Sequence, residues 1–210
     1  MKKLLINKIS RFLFALFLLL SVTPVFSQHV DINTLRYINL NRNQNLDGAF
    51  KFLSNTHIIP EVTIPASLLI GGLIKKDKKM FFQGAEAGAG ILIAVCLSTS
   101  FKYIINRPRP YVTYPDLDNR QLPIGPSFPS GHTTATFALA TTLSIQFPKW
   151  YVILPSYTWA SAVAYSRMHL GVHYPSDLLG GIIIGSGSAI LSHYLNKKLF
   201  GKPKKNVGEF

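Results

Sequence analysis

Two histidines stand out by their neighbours. His132 follows Pro129, Ser130 and Gly131 in FPSGHTT, and His173 is followed four residues later by Asp177 in VHYPSD. Pro, Ser and Gly are residues of a helix start, where the first backbone N–H groups lack intrahelical partners and bind anions readily. An imidazole placed there can give or take a proton beside a bound anion. An imidazole with a carboxylate one helical turn away is held in one tautomer and stabilised when it becomes positive, as a nitrogen nucleophile requires. Lys102 and Arg109 in KYIINRPRP and Arg167 in SRMHLGVH supply cations. Guanidinium forks match phosphate oxygens, and an ammonium adds a point charge. The chemistry these types describe is phosphoryl transfer, with Ser130 and the N–H groups near Gly131 as further donors to the transition-state oxygens.

These residues must be brought together by the elements that carry them. Five apolar stretches run roughly 58–74, 80–101, 132–147, 150–166 and 177–195. They are near the length of a membrane helix, and the shorter ones require slightly longer helices or local thinning. Gly84/Gly88 and Gly181/Gly185 have the four-residue spacing of small residues at close helix contacts. If the stretches alternate in direction, the end of the second, the start of the third, the end of the fourth and the start of the fifth share one face. Lys102, Arg107, Arg109, Ser130, His132, Arg167, His169, His173 and Asp177 then converge there.

Charge follows the same alternation. The chain of 210 residues carries a net charge of +13, yet only 15% of it is charged. Cytoplasmic loops of membrane proteins collect Lys and Arg. KKDKK at 75–79, Lys149 and the lysines of the tail fall on the side opposite the histidines, together with Lys2, Lys3, Lys8 and Arg11. The positive excess is therefore a topology signal and not a nucleic-acid surface. The N-terminus reads as a secretory signal peptide over 1–27, or an uncleaved anchor, with the chain after Gln28 outside the cytoplasm. Residues 28–57 read as an amphipathic segment on the membrane surface or on the bundle, with Asp31 capping a short helix that presents Ile32, Leu35 and Ile38, and with Leu46, Phe50 and Leu53 on one face of a second. The helical domain follows at 58–196, and 197–210 is a basic cytoplasmic tail. The lone Cys96 excludes an intrachain disulfide and reads as a small buried residue.

KYIINRPRP, PSGH and SRMHLGVHYPSD together resemble the three signatures of the type 2 phosphatidic acid phosphatase superfamily: Lys, six residues, Arg-Pro; then Pro-Ser-Gly-His; then Ser-Arg, five residues, His, three residues, Asp. All match in order, across roughly 58–195. The resemblance implies an all-α, membrane-embedded bundle of about five core helices that hydrolyses a lipid phosphate or diphosphate at the periplasmic face of a bacterial inner membrane. His173 would be the nucleophile, positioned by Asp177, and form a phosphohistidine. His132 would protonate the leaving group and then activate water. Lys102, Arg109, Ser130, Gly131 and Arg167 would hold the phosphate. The expected partners are a lipid phosphate and membrane lipids, with no nucleic acid; no cofactor is implied, and three cations stand where a metal could. Undecaprenyl diphosphate, phosphatidate, phosphatidylglycerol phosphate and lipid A phosphates are candidates, with a lean to envelope lipids of a Gram-negative cell.

Other polar residues carry weaker expectations. His169 reads as structural, Glu86 as a buried hydrogen-bonding residue and Arg107 as a contact to substrate or to a lipid headgroup. His29, His57 and His193 show no partner pattern, and the loop 111–128 is a rim for headgroup selection. The alternatives are a soluble periplasmic acid phosphatase sharing the signatures, a vanadium haloperoxidase relative, and a non-catalytic lipid-binding or transport protein.

Overall fold

A computed structural model describes residues 26–200. The expected signal or anchor up to residue 25, and the tail beyond residue 200, lie outside the described residues. The rest is helical, with no strand among the described residues. α1 (Phe26–Leu40) leads through a 3₁₀ turn (Gln44–Leu46) into α2 (Asp47–Thr56). Then come α3 (Ile58–Ile74), α4 (Lys78–Ile105), a single turn α5 (Pro110–Thr113), α6 (Gly131–Gln146), α7 (Trp150–His169) and α8 (Pro175–Phe200).

Each boundary has a local cause. Asp77 starts α4 by accepting from the N–H groups of Lys79 at 2.9 Å and Met80 at 3.1 Å. Asn106, in the left-handed region at φ 47°, ends it. The following Arg-Pro-Arg-Pro cannot continue a helix. Ser130 caps α6, and Pro175 is the first residue of α8. Between α7 and α8 the chain turns at Gly171, φ 71°, where a Cβ would also lie 2.9 Å from the carbonyl oxygen of Asp118. That turn delivers His173 to the site.

α6 is the central helix, packed by α4, α7 and α8 and buried from Thr133 to Thr142. Its buried threonine hydroxyls find partners within the helix: those of Thr134, Thr136 and Thr142 bond carbonyls one turn back at 2.8–2.9 Å. The core is rich in alanine: Ala87, Ala94, Ala135, Ala138, Ala140, Ala160, Ala164 and Ala189 are all buried. Small residues let backbones approach, which drives packing where lipid removes the hydrophobic incentive. Gly84, Gly181 and Gly185 are such approaches, but Gly88 has only the far side of Pro65, 4.0 Å from a Cβ added there.

Large apolar side chains face outward instead, including Val62 and Ile70 on α3, Leu92 and Val95 on α4 and Ile183 and Ile190 on α8. Three helical stretches, Gln44–Ile74, Lys78–Thr113 and Pro175–Phe200, are long and apolar enough to cross a membrane. The sequence reading of five spans is narrower in structure. α6 has 16 residues, or about 24 Å of helix against about 30 Å of hydrocarbon, and its neighbours enclose it.

Two expectations are corrected here. Cys96 is exposed on α4, because a helix that is apolar all round does not reveal which side meets lipid. Asp31 does not cap its own helix: α1 starts five residues earlier, and its carboxylate is turned into the bundle, where it accepts from Ser176 N–H in the first turn of α8. Ile32 and Leu35 are buried against Leu117 and Tyr174, so α1 lies on the bundle.

Candidate active site

The four helix ends named from the sequence do meet. The last turn of α4 presents Lys102, whose Nζ donates to the carbonyls of Pro126 at 2.8 Å and Ser127 at 3.3 Å. The loop before α5 presents Arg109, which donates from Nε to the Gly125 carbonyl at 2.9 Å and from Nη1 to the Val172 carbonyl at 3.1 Å. The last turn of α7 presents Arg167, only 1% exposed. One of its nitrogens, Nη1, donates to Ser54 Oγ and to Gln121 Oε1, the latter at 2.7 Å. Its Nε is buried without a partner, a donor in need of an acceptor.

His173 sits between these cations, 2% exposed. Its Nδ1 is 3.2 Å from Asp177 Oδ2, and its Nε2 is 3.2 Å from Arg109 Nη1. Burial, the largest influence, pulls the imidazole down to about 3; the hydrogen bond and charge of Asp177 oppose it, and Arg167 and Arg109 add to the lowering. His173 is therefore neutral near pH 7, the form with a free lone pair.

Asp177 is itself fully held. It accepts from the Tyr174 N–H at 3.0 Å, from Ser127 Oγ, and from Arg107 Nη1 at 2.8 Å. Arg107 also donates to Ser176 Oγ at 2.6 Å and Asp31 Oδ2 at 2.7 Å, and lies 3.8 Å over the Tyr174 ring. So Arg107 is engaged by the protein and braces Asp177, where the sequence reading expected a substrate or headgroup contact. Asp31 completes the brace by accepting from Ser176 N and Oγ.

His132 opens α6 just after Ser130, whose N–H donates to the Asp177 carbonyl at 3.0 Å and whose Oγ accepts from Thr133 Oγ1 at 3.0 Å. The positive charges of Arg167 and Arg109 reach it. His132 and Arg167 line a cavity of about 620 Å³, with Lys51, Asn55, Arg120 and Gln121 on its other walls. The loop 111–128 thus forms both rim and scaffold.

The charges around the site favour an anion. Lys102, Arg107, Arg109 and Arg167 carry four positive charges against two negative ones on Asp31 and Asp177, so among these six groups two positive charges remain uncompensated. Oxygen-rich metal sites need several carboxylates, and among the described residues no group of three or more His, Cys, Asp or Glu is placed to hold a metal ion.

Sequence reasoning missed Asp31, Ser54, Gln121 and Ser127, whose separations from their partners run from 46 to 145 residues. It also missed His57, which pairs with Glu61 and contacts His132. Away from the site, His169 is structural, bonded to Asp47 at 2.8 Å. Glu86 accepts from Asn196 and pairs with His193 at 3.0 Å, so His193 has a partner that its sequence context did not show.

Comparison with known proteins follows the same lines. The pattern of the PAP2 superfamily matches residues 83–200. An undecaprenyl-diphosphatase of Sulfolobus acidocaldarius is 32% identical over 186 residues, 86% of this chain and 87% of that protein. A lipid A 4'-phosphatase of Bacteroides thetaiotaomicron is 39% identical over 75 residues, 36% of this chain and 33% of that protein. In fold, a transmembrane PAP2-type phosphatidylglycerolphosphate phosphatase from Bacillus subtilis superposes with a TM-score of 0.68 at 23% identity, covering 91% of this chain and 96% of that one.

Proposed function

The chain belongs to the PAP2 superfamily, and from that premise we propose that it is a membrane phosphatase that hydrolyses a lipid phosphate or diphosphate through a phosphohistidine. The observation that carries this reading is the pairing of His173 on both nitrogens, Nδ1 to Asp177 and Nε2 to Arg109, inside a pocket with two uncompensated positive charges.

The steps balance. The Nε2 lone pair of His173 attacks phosphorus, the bond to the leaving oxygen breaks, and His132 gives that oxygen its proton. Water then attacks phosphorus, His132 takes the water's proton, and the P–N bond's electron pair returns to Nε2. Lys102, Arg109, Arg167, the Ser130 hydroxyl and the N–H groups beginning at Gly131 stabilise the equatorial oxygens in both steps. The cations supply the positive charge, so the reaction proceeds without a metal.

The catalytic domain spans 58–196, with 28–57 as an interfacial segment whose Asp31 and Ser54 support it. The site faces the periplasm of a bacterial inner membrane. The basic turn at 75–79, Lys149 and Lys197/Lys198 lie at the other end of the bundle, where Gln146 bonds the Gln83 carbonyl and Phe82 stacks on Phe200. That charge distribution supports this orientation. The outward apolar faces of α3, α4 and α8 favour an integral protein over a soluble acid phosphatase. Undecaprenyl diphosphate and lipid A phosphates are the first substrates to try.

The test is phosphate release by purified protein from a panel of polyprenyl diphosphates, lipid A, phosphatidate and phosphatidylglycerol phosphate, with and without chelator. Release from at least one, unchanged by chelator, is expected. No release from any member, or strict loss restored by magnesium, would sink the reading.

A further inference from the structure

Beside the site, the mechanism above leaves one buried acid unused. Glu61 lies in the first turn of α3, in the apolar sequence IIPEVTIP, and its side chain is 2% exposed. A carboxylate in such surroundings is costly unless bonded. Its partner is His57, whose Nδ1 lies 2.8 Å from Glu61 Oε1. The His57 ring in turn lies against His132, with centroids 3.9 Å apart and planes tilted by 42°.

The two active-site histidines differ in how they are held. His173 is fixed by hydrogen bonds at both nitrogens. Among the described residues the His132 ring makes no hydrogen bond; its anchoring contact is the His57 ring. A general acid must meet the leaving oxygen within hydrogen-bond reach and in the right plane. The sequence offers no carboxylate near His132. The fold supplies one at a remove: Glu61 fixes His57, and the His57 ring sets the plane of His132.

We propose that His57 and Glu61 are positioning residues for His132, acting on protonation of the leaving group. This rests on the assignment of His132 as general acid in the reaction proposed above. The consequence is a dependence on the leaving group. An alkoxide departs only with a proton, whereas p-nitrophenolate departs readily without one. Loss of positioning therefore slows leaving-group release from alkyl esters and spares it for the aryl ester; the water step, which also uses His132, is common to both substrates, so the difference is read in the first turnover.

The experiment compares wild type, Glu61→Leu, Glu61→Gln, His57→Ala and His173→Ala in detergent with dioctanoyl phosphatidate and p-nitrophenyl phosphate. General acid catalysis contributes about 10²–10⁴-fold; with His132 misaligned but present, Glu61→Leu and His57→Ala should lose about tenfold or more in the first-turnover rate of diacylglycerol release from phosphatidate. Substrate binding should stay within about threefold, and first-turnover release of p-nitrophenol should fall less than about threefold. Glu61→Gln keeps a hydrogen-bonding group beside His57 and should retain most of the activity. Glu61→Leu replaces a buried charge with an apolar side chain, which folds tolerate, and it carries the test if His57→Ala does not fold. Equal losses on both substrates, or no loss on phosphatidate, overturn the proposal. A wild type inactive on both, or a fully active His173→Ala, overturns the phosphatase mechanism instead.

Discussion

Arg109 Nη1 lies 3.2 Å from His173 Nε2, and this contact fixes the tautomer of the proposed nucleophile. A guanidinium only donates, so Nε2 must accept and Nδ1 must carry the ring proton. Nδ1–H is then the donor to Asp177, 3.2 Å away. The unprotonated nitrogen thus faces the cations that would hold a phosphate. When a phosphate binds, the Arg109 N–H that caps the lone pair has an oxygen beside it to turn to.

The first prediction concerns that triad. His173→Ala should abolish turnover, since it removes the imidazole held with its unprotonated nitrogen towards the cations. Asp177→Asn keeps the shape but loses the acceptor that holds Nδ1–H, and comparable losses in imidazole–carboxylate pairs reach about 10⁴-fold. Rapid quenching of wild type with ³²P-labelled substrate should trap an acid-labile, base-stable phosphoenzyme that His173→Ala lacks. A labelled His173→Ala protein would refute the assignment.

Arg107 yields a second prediction because it joins Asp31 on α1 to Asp177 on α8 at 2.7 and 2.8 Å. Arg107→Ala leaves two buried carboxylates short of their cation, which costs about 3–5 kcal/mol for a buried pair. The thermal midpoint in detergent should drop clearly, and kcat should fall through Asp177 with KM little changed. A raised KM with an unchanged midpoint would mean that Arg107 binds substrate directly.

How much of this was legible in the sequence depends on the distance over which each residue acts. Lys102, Arg109, Ser130, His132, Arg167, His173 and Asp177 each belong to a short motif whose types already describe a reaction, and helix alternation was enough to gather them. Their supports were not legible. Ser54 and Arg167 are 113 residues apart, Asp31 and Ser176 are 145 apart, and a serine or aspartate among polar neighbours carries no mark of its partner. The inward and outward faces of α4 were equally hidden: Gly84 and Ala87 pack inside while Cys96 is exposed, because lipid and core both accept apolar residues.

A third prediction follows from the buried state of His173. Burial pulls its imidazole well below the ordinary value, down to about 3, against about 6.5 when unfolded. Between those values the unfolded chain binds more protons, so stability is full above about pH 6.5 and falls as pH drops toward 3. His173→Asn removes this contribution. Its thermal midpoint should fall less than that of wild type between pH 7 and pH 4.5, measured in the same detergent. Parallel curves would show that His173 is not held neutral by the fold.

The fourth prediction tests whether the α6–α8 contact sets the position of His132. A Cβ at Gly185 would collide with the Thr134 carbonyl, two residues after His132, whereas one at Gly187 meets nothing within 4 Å. Gly185→Ala must push α8 from α6, at a cost of about 1–3 kcal/mol for an overpacked contact. Gly187→Ala adds no clash and gains helix propensity, a stabilisation of about 0.5–1 kcal/mol. The two thermal midpoints should therefore move in opposite directions. Activity should fall only in Gly185→Ala, because α6 carries the proposed general acid and α8 carries Asp177. A Gly185→Ala protein as stable and active as wild type would mean that the helices do not need this close approach to align the two histidines.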